Sequence, residues 1–424
     1  MIKKIITKIL NKDTKTKKPT YAVFDLNQKR YLYIIQKLKS KIKKKQKIRV
    51  CFFVMFDYQF SYKSLYEKML KDIFFEPFIL IIPDTLRGEK HLISSFNQSY
   101  NSLSKKYKNV YKGYNIKTKK FTDFSEKMDM VCFQTPYECM THNFFQMQNF
   151  LDKNILPFYV NYAYSVLKYV SKVVVKIDTY SYFWKVFVEN KFNIQELKKY
   201  EIIKGKNAVV TGFCKMDDLV NQKLIKQERK TIIIAPHHTI SNGEIIEISN
   251  FLKYSDFFLK LPKLYPNIDF VFRPHPLLIV NLKKPDTWGE VKTKKYFQKM
   301  ESYPNVTYSK GGDYFDIFAN SDGIIHDCGS FLAEYLFTEK PACYMLKNKK
   351  SINKWFLPIG KKCLNHCYKA YTKTNILNFI NEVIINEKDY MKNKRINFIN
   401  STLKINYPNS SQYIIDYIKK ELTK

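Results

Sequence analysis

The sequence predicts an α/β protein with two domains of alternating strands and helices. Three observations carry this. Short runs of consecutive apolar, β-favouring residues recur along the chain, as in Arg49–Phe56 and Thr231–Ala235. Runs without alternation are the pattern of parallel strands buried on both faces. The spacers between them have the length and periodicity of helices. Three of the strands then run into polar, histidine-bearing segments: Pro236-His237-His238-Thr239, Arg273-Pro274-His275-Pro276 and His326-Asp327-Cys328-Gly329-Ser330. An open α/β sheet gathers its ligand at such carboxyl ends. At 424 residues the chain exceeds one ordinary domain.

In order, residues 1–47 read as a basic helical segment. Ile2, Ile5, Ile6, Ile9 and Leu10 share a helical face, with Lys3, Lys4 and Lys8 around it. Such a helix either packs on the body or lies in a membrane interface. A second basic run, Lys37 to Lys47, reads as a solvated face or as a contact for anionic headgroups, at about 1 kcal/mol per basic residue. The first domain spans 48–214. Its strands are Arg49–Phe56, Phe78–Ile82, Met130–Phe133, Leu156–Val160 and one ending near Gly212, with helices at Ser64–Phe74 and Ile93–Tyr107. The second domain spans 215–373. Its strands are Ile232–Ala235, Phe270–Phe272, Val306–Tyr308, Gly323–Ile325 and Ala342–Leu346, with helices at Gly243–Leu252, Phe257–Leu264 and Phe331–Phe337. Residues 374–424 read as amphipathic helices, with Ile376, Phe379, Ile380, Val383 and Ile384 at spacings of three and four. A return to the first domain is one course open to them.

The formal charge of +35 has two explanations. One is an anionic partner; the other is a composition rich in Lys, Ile, Asn, Tyr and Phe together. The lysines are spread along the chain without a nucleic-acid-binding signature, which disfavours nucleic acid as the partner. No apolar run approaches the ~18–20 residues of a spanning helix, and no secretory signal is visible. The eight cysteines are scattered, several inside apolar strands such as Cys51, Cys132 and Cys343. This suits reduced thiols in a cytoplasmic protein. Cys363, His366 and Cys367 lack the second ligand pair that zinc needs. The expected location is cytoplasmic, with a peripheral position on the inner face of the cell membrane suggested by residues 1–47.

Several residues have the chemistry of a phosphate site. Ser330 is a good N-cap, and Gly329 before it exposes N–H groups to an anion. Glu334 lies one turn on, able to accept from a ribose or simply to favour the positive helix end. Arg273 has a fork suited to two phosphate oxygens. His275, held between two prolines, can donate to a phosphoryl oxygen or act as an acid. His237 and His238 end another strand, without the spacing or carboxylate partner of a metal site. Gly311-Gly312-Asp313 is a turn in which Gly312 admits close approach of a ligand. In the first domain, Asp57, Gln134 and Tyr137 end strands and are candidates for an acceptor side. Walker, GxGxxG and HExxH sequences are absent, which disfavours ATPase, dinucleotide-enzyme and zincin readings.

The succession Val210-Thr211-Gly212-Phe213, Ala235-Pro236-His237-His238-Thr239, Phe272-Arg273-Pro274-His275-Pro276, His326-Asp327-Cys328-Gly329-Ser330 to Glu334, and Lys340-Pro341 resembles the CDP-glycerol glycerophosphotransferase family of teichoic-acid and capsule biosynthesis. The resemblance is best over residues 205–346 and looser over 48–205. It implies a GT-B fold, with two Rossmann-like domains facing a cleft. It implies transfer of glycerol phosphate, or a related group, from a CDP-linked donor to a glycan or lipid-linked acceptor. On the residues themselves, Arg273, His275 and the helix start at Ser330 could stabilise the leaving diphosphate, and no cofactor or metal is expected. The resemblance places His275 near the donor diphosphate, and Asp327, Ser330 and Glu334 around phosphate and ribose. The family's Trp-His-Gly motif is missing; the matching region offers Gln134-Thr135-Pro136-Tyr137, so the acceptor base is left open among His237, His238 and Asp57. A GT-B glycosyltransferase using a UDP- or CMP-sugar and a nucleotide-sugar epimerase are alternatives of the same class. A non-enzymatic basic protein that binds membrane or nucleic acid is the alternative of another class.

Overall fold

The computed structural model describes residues 21–137, 140–168, 179–241 and 246–424. The chain divides into two compact units. The first runs through Asp217, apart from an excursion at Tyr164–Tyr169, and regains Ile405–Lys424. The second holds that excursion and Asp218–Lys404.

The first unit is built on a seven-stranded sheet: β1 (Ile48–Val54), β2 (Phe75–Ile81), β3 (Val110–Lys112), β4 (Met130–Phe133), β5 (Leu156–Val160), β6 (Lys185–Val188) and β7 (Ala208–Val210). Their spatial order is β3-β2-β1-β4-β5-β6-β7, all parallel. The order reverses between β1 and β4, the mark of a doubly wound, Rossmann-like sheet. β1 and β2 pair from Ile48↔Phe75 to Val54↔Ile81. The β1 residues Val50–Val54 are essentially inaccessible, as a strand covered on both faces requires. The helix Tyr21–Lys43 buries Phe24, Tyr31, Ile34, Ile35 and Leu38 along one stripe, leaves Lys29, Lys37 and Lys43 exposed, and pairs Lys41 with Asp129. The terminal helix Ser410–Thr423 buries Ile414, Ile415, Ile418 and Leu422 in the same core. Asp217 fixes its start: the carboxylate accepts from the N–H groups of Ser410 at 3.1 Å and Ser411 at 2.7 Å, satisfying donors that a helix start leaves open.

The second unit has six parallel strands: β8 (Lys230–Ala235), β9 (Ile268–Phe272), β10 (Val306–Tyr308), β11 (Gly323–His326), β12 (Ala342–Met345) and β13 (Tyr368–Ala370). The order is β10-β9-β8-β11-β12-β13, again reversing at the first strand, between β8 and β11. Phe251, Tyr254, Phe258, Leu278, Ile376 and Ile380 pack over it. Two expectations are corrected here. The helix expected at Gly243–Leu252 begins at Phe251, because residues up to Asn250 are pulled into tertiary hydrogen bonds described below; residues 242–245 lie outside the described residues. The helix expected at Phe331–Phe337 is α-helical only over Phe331–Glu334 and tightens to a 3₁₀ turn over Tyr335–Thr338. The strands β3, β6 and β13 were not expected. The expected helix over residues 1–18 also lies outside the described residues. Among the described residues no helix is long and apolar enough to cross a membrane, and seven cysteines are free and buried.

Candidate functional site

The second unit brings three strand-end histidines together. Pro236 has no N–H and cannot extend the ladder beyond β8. Its carbonyl instead accepts from the His275 N–H at 3.0 Å, and Ile234 O accepts from the Arg273 N–H at 2.8 Å. The exits of β8 and β9 therefore run side by side, next to the reversal point of the sheet. The ring centres of His237 and His238 lie 4.3 Å apart, those of His238 and His275 4.3 Å, and those of His237 and His275 5.3 Å. One ring nitrogen from each lies within 4.8 Å of the other two. His237 and His238 are buried and His275 is partly buried.

Three clustered imidazoles suit either a metal or an anion, and the hydrogen bonds discriminate. A neutral imidazole has one N–H and one lone pair. His275 caps the helix Pro276–Leu282, its Nδ1 accepting from the Leu277 N–H at 3.1 Å. That consumes its lone pair and places its proton on Nε2. The Asn281 amide, which donates to His238 O at 2.9 Å, also approaches His238 Nδ1 at 3.5 Å, favouring the same tautomer there. His237 Nδ1 lies 3.0 Å from the Thr239 hydroxyl, a contact either tautomer satisfies. Burial draws all three imidazoles below the usual histidine range, His238 to about 4, so they are neutral at pH 7. The arrangement offers neutral N–H donors. A divalent ion on His275 would require the Leu277 bond to break; an anion would not.

Asp327 holds this cluster from β11. One carboxylate oxygen accepts from the His237 N–H at 2.6 Å, and the other from the backbone and side-chain N–H groups of Asn250. The Tyr344 hydroxyl donates to the Asp327 carbonyl at 3.0 Å. The group is fully buried, and burial pushes it up to about 6 against those bonds. Asp327 therefore positions His237, and its carboxylate is turned away from any ligand. Arg273 plays a comparable part: its fork donates to Ser309 Oγ at 2.5 Å, Gly311 O at 3.3 Å and Gly312 O at 2.6 Å. The arginine orders the glycine turn, where Gly312 has φ +79°, and does not present its fork outward.

Ser330 does not have the N-cap geometry expected of it. Its backbone is already helical, and its side chain makes no capping bond. The four-residue helix that follows has little dipole to offer. Gly329 is where Leu167 packs: a Cβ there would stand 2.7 Å from Leu167 Cδ1. Glu334 is fully buried and accepts from the Tyr314 hydroxyl, an inward pairing that a helix-surface reading of Glu334 does not anticipate. Asn250, Asn281 and Tyr314 had no local signal, because their partners lie 77, 43 and 20 residues away.

In the first unit, Gln134 is a clamp on the end of β1. Its Oε1 accepts from the N–H groups of Met55 at 2.6 Å and Phe56 at 3.2 Å, and its Nε2 donates to Phe56 O at 2.9 Å. With its amide spent and 2% exposed, it does not face an acceptor. Tyr137 is buried beside a small cavity lined by Phe53, Phe133, Gln134 and Phe183. Asp57 is half-buried in the turn after β1, where Gln98 Nε2 approaches it at 3.4 Å.

No protein-family model matches the chain, and no curated protein matches it either. Solved structures do. A wall teichoic acid polymerase, TagF, aligns with TM-score 0.57 and 14% identity over 94% of this chain and 98% of its own. UDP-GlcNAc 2-epimerase from Neisseria meningitidis, bound to UDP-GlcNAc, aligns with TM-score 0.54 and 14% identity over 88% and 100%. S. aureus MnaA with UDP aligns with TM-score 0.53 and 16% identity over 89% and 96%. At such identities the likeness is one of fold. The two Rossmann-like sheets are of the GT-B type.

Proposed function

We propose that the chain is a GT-B transferase that moves glycerol phosphate, or a related group, from a CDP-linked donor to a glycan or lipid-linked acceptor, in the manner of the CDP-glycerol glycerophosphotransferases it resembles. The observation that carries this reading is the Leu277 N–H on His275 Nδ1, which leaves the imidazole a proton to donate and no lone pair for a metal. A nucleotide leaving from a diphosphate gathers negative charge on its phosphate oxygens. Preorganised N–H donors in a buried pocket stabilise such charge with little reorganisation. His275 and His238 are assigned that role, with His237 beside them. Asp327 and Arg273 hold the loops that carry them. A TagF structure soaked with CDPG is among those sharing the fold, which supports a CDP-linked donor.

The neighbours bound to UDP or UDP-GlcNAc favour a second reading, a UDP-sugar transferase or epimerase that uses the same histidine cluster. Incubation with CDP-glycerol and, separately, with UDP- and CMP-sugars distinguishes them. Release of CMP from CDP-glycerol in the presence of acceptor extract is the expected result; UDP release or an epimerised sugar selects the second reading.

The same proposal places the protein at the cytoplasmic face of the membrane through residues 1–47. The helix Tyr21–Lys43 supports this: Leu26, Leu32 and Tyr33 are exposed on it among lysines that include Lys29, Lys37 and Lys39. Apolar residues framed by lysines suit an anionic lipid surface. Weaker binding to phosphatidylserine vesicles when Leu26 and Leu32 are changed to Ser is the expected result, and unchanged binding contradicts a lipid contact on this helix.

A further inference from the structure

Of the three clustered imidazoles, His237 has a ring contact that leaves its tautomer open when taken alone. The surroundings of Thr239 decide the matter. Thr239 is 2% exposed, so its hydroxyl cannot turn to solvent. Its Oγ1 accepts from the Ile248 N–H at 3.3 Å, nine residues on, and lies 3.0 Å from His237 Nδ1. A buried hydroxyl proton needs an acceptor of its own. Among the described residues, His237 Nδ1 is the acceptor within hydrogen-bond distance of Thr239 Oγ1. The hydroxyl therefore donates to Nδ1, and the His237 proton lies on Nε2. The backbone carbonyl of His237 accepts from the Ser249 hydroxyl at 2.8 Å. Ile248 and Ser249 thus fix the turn His237–Thr239 at two points, and the Asp327 carboxylate on the His237 N–H fixes it at a third.

We infer that Thr239 is a positioning residue that makes His237 a third Nε2–H donor, so that the cluster offers three neutral N–H groups to an oxyanion that brings no proton of its own. This rests on the transferase reading above and names the kind of group its donor must carry. In each ring Nδ1 faces a donor of the protein: the Leu277 N–H in His275, the Asn281 amide in His238 and the Thr239 hydroxyl in His237. The N–H groups left for a ligand are those on Nε2. Ring centres 4.3 to 5.3 Å apart keep them within the span of one phosphoryl group. Asp327, with its oxygens taken by His237 and Asn250, adds no acceptor. A donor-only site loses a hydrogen bond for each proton its ligand carries, because N–H then faces O–H. The free oxygens of an esterified diphosphate are ionised and carry none at neutral pH. A phosphate monoester takes up a proton near its second pKa of about 6. The cluster therefore suits the esterified diphosphate of an intact donor, and suits a monophosphate only above that value.

The test uses the full-length protein with its histidine rings labelled with ¹⁵N. Long-range ¹H–¹⁵N correlation spectra distinguish the two neutral tautomers, and calorimetry measures binding of inorganic sulfate and phosphate. The His237 ring, identified by its loss in His237→Phe, should carry its proton on Nε2 in the wild type. Thr239→Val should move that signal toward the Nδ1–H form and weaken sulfate binding; Thr239→Ser, which keeps the hydroxyl, should restore both. His237→Phe should bind sulfate on the order of tenfold more weakly, as the loss of one hydrogen bond to a charged group requires. At about pH 5.5 the wild type should take sulfate more tightly than phosphate, which is protonated there. A wild-type His237 ring with its proton on Nδ1 overturns the assignment, and so does equal sulfate affinity in wild type and His237→Phe. A Thr239→Val protein that melts earlier with an unmoved ring signal assigns Thr239 a merely structural part and overturns it too. Sulfate and the ring spectra report on the cluster without any nucleotide, so a failure to release CMP from CDP-glycerol with acceptor extract overturns the transferase reading alone.

Discussion

The Asp327 carboxylate accepts a hydrogen bond from the backbone N–H of His237 at 2.6 Å, across 90 residues of sequence. This contact ties the exit of β11 to the exit of β8 at the point where the strand order reverses. Asp327→Asn keeps the size of the side chain but turns an amide donor toward N–H groups that need an acceptor. An orphaned buried donor costs about 1–3 kcal/mol. The expected outcome is a lower urea midpoint with an unchanged slope, together with weaker donor binding as His237 loses its anchor. Unchanged stability would show that the carboxylate does not carry the loop.

Stability should fall with acidification through the histidine window. His237, His238, His275 and His326 are all depressed by burial, His238 to about 4 and His326 to about 3. Below the ordinary histidine value of about 6.5 the unfolded chain takes up protons that the folded chain refuses, so folding free energy is lost as pH drops. For His238 alone the loss from pH 6.5 to 4 is about 3 kcal/mol. Asp327 and Asp217, both raised by burial to about 6, act in the opposite sense between pH 6 and 3.8, where the folded chain binds the extra proton. Four histidines against two aspartates leave a net loss. Urea midpoints that stay flat between pH 7 and 4.5 would contradict it.

Gly212→Ala should destabilise the first unit sharply. The residue has φ +86°, and a Cβ there would stand 2.0 Å from the Ile405 carbonyl oxygen and 2.5 Å from Ser410 Oγ. The backbone conformation alone costs an alanine on the order of 1 kcal/mol or more, and the overlap with backbone adds to it. The helix Ser410–Thr423, whose start lies at that contact, would detach. A drop in melting temperature is the expected measurement, with raised proteolysis near Ile405.

The fold was legible because parallel strands announce themselves: Met130–Phe133, Leu156–Val160 and Val306–Tyr308 occur at the residues their apolar runs indicate. Val110–Lys112, Lys185–Val188 and Tyr368–Ala370 escaped notice because each carries a lysine that breaks the apolar run. The histidine cluster was legible as two strand ends rich in one residue type; the third such end contributes Asp327, while its His326 packs on Tyr344 instead. What the side chains do there was not. Gln134 and Asp327 read as outward polar groups, yet both face inward, because their partners lie 77 to 90 residues away. Inward or outward orientation at a strand end is settled by tertiary hydrogen bonds, which no local window contains.

The most direct test of the central claim is calorimetric titration of CDP-glycerol into wild type, His275→Ala and His275→Asn. Asparagine can still accept from the Leu277 N–H as a cap, but it lacks the Nε2–H. One donor per chain should bind the wild type, and both variants should bind at least tenfold more weakly, with His275→Asn retaining wild-type stability. Equal affinity in all three proteins would contradict a diphosphate site on the strand-end histidines.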